Sequence, residues 1–264
     1  MDKTKNIILG LIIIIGSLGI LFFNPKTEKI DGNIRIGVSD DTSGFIIDYM
    51  INKDYFTDVE IENLIEPYSI NDCWASTMQW ALSSEQIDMA IICKEAAKKF
   101  VEYDKNFEIV DTVVQNSDVF LVKNENIKKI GVTQNRNYQI DLVKEYYESA
   151  KEVPFISGGL AYALESDKVD AIVIDSIKAL SLNGKKFSTA INKDYDTYVM
   201  VVNKSFKQNK LYDQFIKLYN QSVKELNDEN LFKKELGKYT DTEISKEVWG
   251  EFKKWNLKFL QIQK

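Results

Sequence analysis

The chain of 264 residues has no histidine, two cysteines, three prolines and only two arginines, Arg35 and Arg136. Each scarcity removes a class of function. Without histidine, Ser-His-Asp and Cys-His catalysis are excluded, and a zinc site would have to rely on thiolates and carboxylates. No phosphate-binding loop and no dinucleotide glycine fingerprint occurs. A net charge of −6, with both signs well mixed, lacks the basic face of a general nucleic-acid binder. No low-complexity tract follows the N-terminus. Since no catalytic set assembles and no cofactor motif is present, a non-enzymatic binding role is the reading, with no cofactor expected.

What the chain does contain is a phrase used twice. Ala81-Leu82-Ser83-Ser84-Glu85-Gln86-Ile87-Asp88-Met89-Ala90-Ile91 returns as Ala163-Leu164-Glu165-Ser166-Asp167-Lys168-Val169-Asp170-Ala171-Ile172-Val173. Each copy reads as a helix end, a polar turn and a buried strand opened by an aspartate. An echo precedes each, Asn33-Ile34-Arg35-Ile36-Gly37-Val38-Ser39 against Ile127-Lys128-Lys129-Ile130-Gly131-Val132-Thr133. Two copies are too few for a solenoid. They imply two similar α/β lobes with a cleft between them, where ligands are favoured. The duplicated Asp88 and Asp170 read as strand-start residues rather than catalysts.

At the N-terminus, Lys3 and Lys5 precede an apolar run from Ile7 to Phe23, broken only by Gly10, Gly16, Ser17 and Gly19. No small-x-small cleavage site follows, and no cysteine ends the run to carry a lipid. Residues 1–29 read as an uncleaved signal anchor and tether, placing the body outside the cytoplasm on the cell membrane.

Along the body, Ile34–Val38, Val59–Leu64, Ile87–Cys93, Ile130–Val132, Val153–Phe155 and Val169–Ile174 read as strands. Helical spacing is expected over Phe45–Ile51, from Asn71-Asp72 through Leu82, over Gln139–Tyr147 and over Leu160–Leu164. This alternation predicts βαβ units and a mostly parallel sheet. Glu108–Val122, with its polar break at Gln115-Asn116-Ser117-Asp118, suits a segment leaving one lobe for the next. Tyr198–Val202 would carry the chain back. From Leu211 onward the pattern is helical, with core stripes at Leu211, Phe215, Leu218 and Tyr219 and at Trp249, Phe252, Trp255 and Phe259. The expected lobes are 30–116 with 200–264, and 117–199.

This order and spacing, from about Asn33 to Glu229, resembles the type II periplasmic-binding-protein fold. Within it the chain is similar to ABC-transporter solute-binding proteins of the sulfonate, nitrate and thiamin-precursor group. The resemblance implies a monomer that captures a small molecule between two lobes and presents it to an ABC permease. A narrower resemblance lies in Asp72-Cys73-Trp74-Ala75-Ser76-Thr77, Trp80-Ala81-Leu82-Ser83-Ser84 and Asp88-Met89-Ala90-Ile91-Ile92-Cys93. These residues look like the binding protein of selenocysteine-assisted organometal uptake systems, which tends to carry selenocysteine or cysteine where Trp74 stands here. That implies an organometal or other thiophilic ligand; a sulfonate or a heteroaromatic vitamin precursor is the alternative, as is ligand sensing without transport. An enzyme of thiamin-pyrimidine formation on the same fold would need an active-site histidine that this chain lacks.

In open α/β sheets, ligands sit beyond the carboxyl ends of strands and at the helix N-termini that follow. The rule selects Ser39, Asp41 and Thr42 after the first strand, Asp72, Cys73 and Trp74 at the second helix start, and Cys93 at the next strand end. It adds Asn116 in the crossover, Ser157 and Gly158 before a helix, and Asp175 at the end of the last duplicated strand. Cys73, in a first helical turn where a thiolate is stabilised, would pair with Cys93 as two soft metal ligands. A disulfide and inert packing fit the same two residues. Trp74 suits an aromatic ligand wall. Arg136, flanked by Asn135 and Asn137, reads as a solvated surface residue or as a clamp on a carboxylate or sulfonate.

Overall fold

The computed structural model describes residues 32–53, 64–70 and 86–263. They form two sheets. In the first, β1 (Ile34–Val38) lies parallel between β2 (Ile65–Ser69) and β3 (Met89–Cys93). β10 (Asp196–Asn203) runs antiparallel between β3 and β4 (Phe107–Gln115), and β11 (Lys258–Phe259) closes the edge beside β4. In the second sheet, β6 (Lys129–Thr133) lies parallel between β7 (Lys151–Phe155) and β8 (Ala171–Asp175). β5 (Asp118–Val122) runs antiparallel between β8 and β9 (Lys185–Ser188). The order β7-β6-β8-β5-β9 therefore repeats β2-β1-β3-β10-β4. In each sheet the antiparallel strand is supplied by the segment that has just left the other sheet.

The repeated phrase accounts for this likeness at the level of single bonds. Ile36 pairs with Met89, the residue after Asp88, and Ile130 pairs with Ala171, the residue after Asp170. Asp88 accepts from the Arg35 backbone N–H at 2.8 Å and from its guanidinium at 3.1 and 2.8 Å. Asp170 accepts from the backbone N–H groups of Lys128 and Lys129, both at 2.9 Å. Each aspartate thus ties the start of its own strand to the start of the neighbouring one, satisfying amides that the ladder leaves open. Gly131, in the middle of β6, has no room for more: an added Cβ would lie 3.0 Å from Ile172 and 3.2 Å from Leu160.

Helices cover the sheets. α1 (Thr42–Asn52) follows β1 and is buried along most of its length, as its run of Phe45, Ile46, Ile47 and Met50 requires. α2 (Lys94–Tyr103) follows β3; the sequence reading did not assign it, because only Ala96, Ala97 and Phe100 of its ten residues are buried and apolar. α3 (Asn137–Tyr146), α4 (Leu160–Glu165) and α5 (Ser176–Ala179) belong to the second sheet. The C-terminal part forms α6 (Lys210–Glu225), α7 (Glu229–Tyr239) and α8 (Lys246–Lys254). Their N-caps are Asn209, Asp228 and Ser245, each accepting a backbone N–H and so satisfying an otherwise open donor.

The two expected stripes are core. Leu211, Phe215 and Tyr219 are buried on α6. Phe232 sits 5.6 to 6.0 Å from the rings of Trp249, Phe252 and Phe259, a tilted aromatic cluster of the kind that adds about 0.5–1.5 kcal/mol per pair beyond area burial. The strand beside β1 starts later than the alternation suggested: it is Ile65–Ser69, and of the expected 59–64 run only Leu64 is described, as a buried residue. The N-terminal apolar run and the helix expected from Asn71 lie outside the described residues. Among the described residues, no helix is long and apolar enough to cross a membrane.

The two crossovers are bound to each other. Asn116, between β4 and β5, adopts a left-handed φ of 60°, a conformation asparagine tolerates better than most residues. Its backbone N–H donates to the Tyr195 carbonyl at 3.0 Å, and its side-chain oxygen accepts from the Tyr195 N–H at 2.8 Å. Its amide nitrogen donates to Asp194 at 2.8 Å and to the Asn256 carbonyl at 2.9 Å.

Candidate ligand cleft

The carboxyl ends of the parallel strands in both sheets lead to one seam. β1 delivers Ser39 and Asp41, β3 delivers Cys93 and then Glu95, β6 delivers Thr133 and Arg136, and β8 delivers Asp175. The antiparallel strands bring two further residues to the same level: Tyr198 pairs with Cys93, and Asp118 pairs with Asp175.

Across the seam, groups from the two sheets bond directly. Asp41 caps α1, accepting from the Ser43 N–H at 2.9 Å and the Ser43 hydroxyl at 2.7 Å. Its second oxygen accepts from the Tyr198 hydroxyl at 2.8 Å. Asp175 caps α5 through the Ile177 N–H at 3.0 Å. The same oxygen accepts from the backbone N–H of Thr42 at 3.3 Å and from its hydroxyl at 3.0 Å. Its other oxygen lies 3.5 Å from the Tyr198 hydroxyl. At the rim, Lys178 pairs with Asp40 at 2.7 Å. Burial drives the Asp175 carboxyl well above the usual carboxylate range, and the charges of Asp41 and Asp118 push it the same way; the Thr42 hydrogen bond and Lys178 only partly oppose this. Two neighbouring carboxyl groups held away from water resist ionising together.

The N-terminus of α1 therefore has no open donor at its tip. Thr42 N–H is engaged by Asp175, Ser43 N–H by the Asp41 side chain, and Gly44 N–H by the Asp41 carbonyl at 3.0 Å. Gly44 is required at this point, since a Cβ there would stand 2.0 Å from the Ser39 carbonyl oxygen.

Arg136 is not a surface residue. It is 7% exposed, its guanidinium lying 5.7 Å from the centroid of the Tyr198 ring and 3.8 Å from Asp118. Burial opposes its charge, but Tyr198, Tyr138, Cys93 and Asp118 around it outweigh burial and raise its pKa further. Its flanking asparagines fit either a solvated residue or an anion clamp in the sequence, and burial removes the first of these. Asp118 is fully buried and accepts, on one oxygen only, from the Tyr138 hydroxyl and from the Gln139 amide at 2.6 Å. Gln139 is oriented in turn by the Thr133 N–H at 2.7 Å. Burial holds the Glu95 carboxyl above its ordinary value, with the nearby Arg136 charge and the Tyr138 backbone N–H acting the other way.

The residues selected from the sequence divide as follows. Asp41, Thr42 and Asp175 are brought together in one network, and Cys93 is buried beside it opposite Tyr198. Ser39 is buried in the turn that leads into α1. Asn116 is buried in the crossover, with its side chain taken up by Tyr195, Asp194 and Asn256. Ser157 and Gly158 form a short 3-10 turn after β7, Gly158 exposed with open space around its Cα. Asp72, Cys73 and Trp74 lie outside the described residues, and with them the proposed partner of Cys93. Among the described residues, no three His, Cys, Asp or Glu side chains gather as a metal site. Of Tyr198, Asp118 and Arg136, the sequence singles out only Arg136 and the crossover around Asp118; Tyr198 reads as part of a returning strand, and it is the register that sets it opposite Cys93 as Asp118 is set opposite Asp175.

No family model and no curated protein sequence matches the chain. Solved structures do resemble it. The zinc-bound ligand-binding component of an ABC-type import system from Staphylococcus aureus is 16% identical, with a TM-score of 0.68 over 88% of this chain and 86% of that one. The periplasmic aliphatic sulphonate binding protein from Escherichia coli is 13% identical, with a TM-score of 0.58 over 89% and 86%. The periplasmic nitrate-binding protein from Synechocystis PCC 6803 is 10% identical, with a TM-score of 0.58 over 84% and 68%. The chain has the two-sheet α/β fold of the periplasmic binding proteins.

Proposed function

We propose that this protein is an extracytoplasmic solute-binding component of an ABC importer. It captures a small molecule between two lobes and presents the closed form to a permease. The observation that carries this reading is the seam itself, where Thr42 and Tyr198 of the first sheet meet Asp175 of the second through buried polar contacts. Around it stands a fold that solved import-system binding proteins share. Two lobes joined by a pair of crossovers tied at Asn116 form a hinge of the kind that closes around ligands. The apolar run at 7–23, behind Lys3 and Lys5, supports tethering of the body to the outer face of the cell membrane. Among the described residues, no group in the seam assembles into a nucleophile with its base, and the solved neighbours are binding proteins, which favours capture over turnover.

Small-angle scattering and thermal unfolding of the body, with pooled small solutes, test this directly. A solute present at 100 times its dissociation constant stabilises the bound form by about 2.7 kcal/mol. For a body of this size that is a rise of roughly 5–10 °C in Tm, and it should come with a smaller radius of gyration. A solute that binds tightly and leaves the radius unchanged would refute hinge closure.

A further inference from the structure

Several buried polar atoms at the seam have no hydrogen-bond partner among the described residues, Glu95 Oε2 and Asp118 Oδ1 among them, and one of these faces a buried guanidinium. Arg136 is more than nine-tenths buried, yet its guanidinium donates no hydrogen bond to any described residue; Asp118 lies 3.8 Å from it, and the Glu95 carboxyl is also close enough to feel its charge. Asp118 places both of its accepted bonds, from Tyr138 and Gln139, on one oxygen; the oxygen that faces Arg136 has no hydrogen-bond partner among the described residues. Most buried polar groups are satisfied, and one left open beside a buried opposite charge points to a ligand or to bound solvent. The donors near α1 offer no alternative, since Asp41 and Asp175 consume them. Lys178, the nearby rim cation, is engaged by Asp40.

We infer that Arg136 and Asp118 together recognise the head of a small zwitterion, a carboxylate or sulfonate received by the guanidinium and an ammonium received by the open Asp118 oxygen. The inference rests on the solute-binding reading and names the class of solute. A guanidinium presents paired N–H donors in one plane and matches two oxygens of an oxyanion. The Arg136 guanidinium lies 5.7 Å from the centroid of the Tyr198 ring, and Tyr198 belongs to the opposite sheet, so the surroundings of the anion-binding group are completed only when the lobes meet. Asp118 is oriented by Tyr138 and Gln139, which leaves its second oxygen aimed at the guanidinium and able to accept a donor carried one to three atoms from the oxyanion. A purely anionic solute would satisfy Arg136 but lie against the carboxyl groups of Asp118, Asp41 and Asp175. A purely cationic one would lie against Arg136.

The test is calorimetric titration and scattering of the wild-type body with four probes: 2-aminoethanesulfonate, 3-aminopropanoate, methanesulfonate and ethylammonium. At least one of the zwitterions should bind ten-fold or more tighter than either single-charge probe and compact the molecule. Arg136→Met should weaken that binding by 100-fold or more. Arg136→Lys, which keeps the charge and loses the planar pair, should weaken it by at least ten-fold, with circular dichroism confirming that both variants fold. The inference is overturned if zwitterions bind no tighter than their halves, or if Arg136→Met binds them as the wild type does. It is also overturned, with the receptor reading left standing, if none of the four binds while a different solute compacts the wild-type body. Absence of compaction with every solute in a broad collection would remove the receptor reading as well.

Discussion

Replacing Thr42 by valine removes one hydroxyl from the seam and little else, because the two side chains have nearly the same shape. The lost contact is the 3.0 Å bond from Thr42 to Asp175, between two buried groups on different sheets. Asp175 keeps the Thr42 and Ile177 N–H donors, so no acceptor is orphaned. The cost is then the net worth of one hydrogen bond, about 0.5–1.5 kcal/mol if Asp175 is protonated and about 1.5–3 kcal/mol if it is ionised. Burial and the charges of Asp41 and Asp118 raise the Asp175 pKa in the folded chain, so below that raised value the substitution should cost about 1 kcal/mol, or roughly 2–4 °C in Tm. The cost should grow as pH rises.

The same carboxyl sets a sign for stability against pH. Between the ordinary carboxylate value and the raised folded value, the native chain holds one proton more than the unfolded chain, so the Asp175 contribution falls as pH increases through that window. Asp175→Asn holds the site in its neutral form, keeps an acceptor for Thr42 and Ile177, and offers a donor to the Tyr198 oxygen. It should flatten this part of the profile and fix the Thr42→Val cost at about 1 kcal/mol at every pH. Chemical denaturation of the four chains of this double-mutant cycle, at pH 5, 7 and 9, measures both effects. A Thr42→Val cost already near 3 kcal/mol at pH 5 and unchanged to pH 9 would mean that Asp175 is ionised throughout, and the electrostatic account of the seam would be wrong.

Gly44→Ala should be among the most damaging single changes, because its Cβ meets the backbone carbonyl of Ser39 at 2.0 Å and the turn into α1 has to move; soluble yield and Tm would both fall, and an unchanged Tm would refute the turn geometry. Asp88→Ala and Asp170→Ala each orphan strand-start amides, at about 1–3 kcal/mol apiece by urea denaturation, and neither should alter ligand-induced compaction. Asn116→Ala should lose the bonds that tie the crossovers and also pay for a left-handed φ, whereas Asn116→Gly loses only the bonds. The glycine variant should therefore be the more stable of the two by about 1–2 kcal/mol, and a reversed order would argue against the φ of 60°.

Most of the topology was legible because it is written twice. The aspartate before β3 and the one before β8 perform the same task on matching strands, and a residue type repeated for a backbone reason survives where side-chain packing drifts. What was not legible is what lacks an apolar signature. β9 and β11 are short edge strands rich in lysine, Lys185 and Lys186 in one and Lys258 in the other, a composition that blunts an edge and also hides it. α2 shows the same effect in a helix: Lys94, Glu95, Lys98 and Lys99 dominate its sequence, while three small or aromatic residues suffice to dock it.

The site was legible to the extent that strand ends specify it, and obscure where burial comes from the other sheet. Asp41, Thr42 and Asp175, which meet in one network, are selected by the rule that ligands favour helix starts after parallel strands. The same rule puts Arg136 in a loop at the seam but does not foretell its burial, because Gln134 to Asn137 is uniformly polar and nothing local says that Tyr198 will cover it. Duplication supplies the missing step. Cys93 faces Tyr198 in the first sheet as Asp175 faces Asp118 in the second, so these four side chains occupy two equivalent pairs of positions on either side of one seam. The scaffold residues at matched positions have stayed alike, Gly37 with Gly131 and Asp88 with Asp170. The seam residues differ, a thiol and a phenol on one side against two carboxyls on the other. Positions that the backbone treats as equal but that carry different chemistry are free of a shared structural duty, and under the proposed binding role they are the positions at which the two halves of the seam can differ toward a solute.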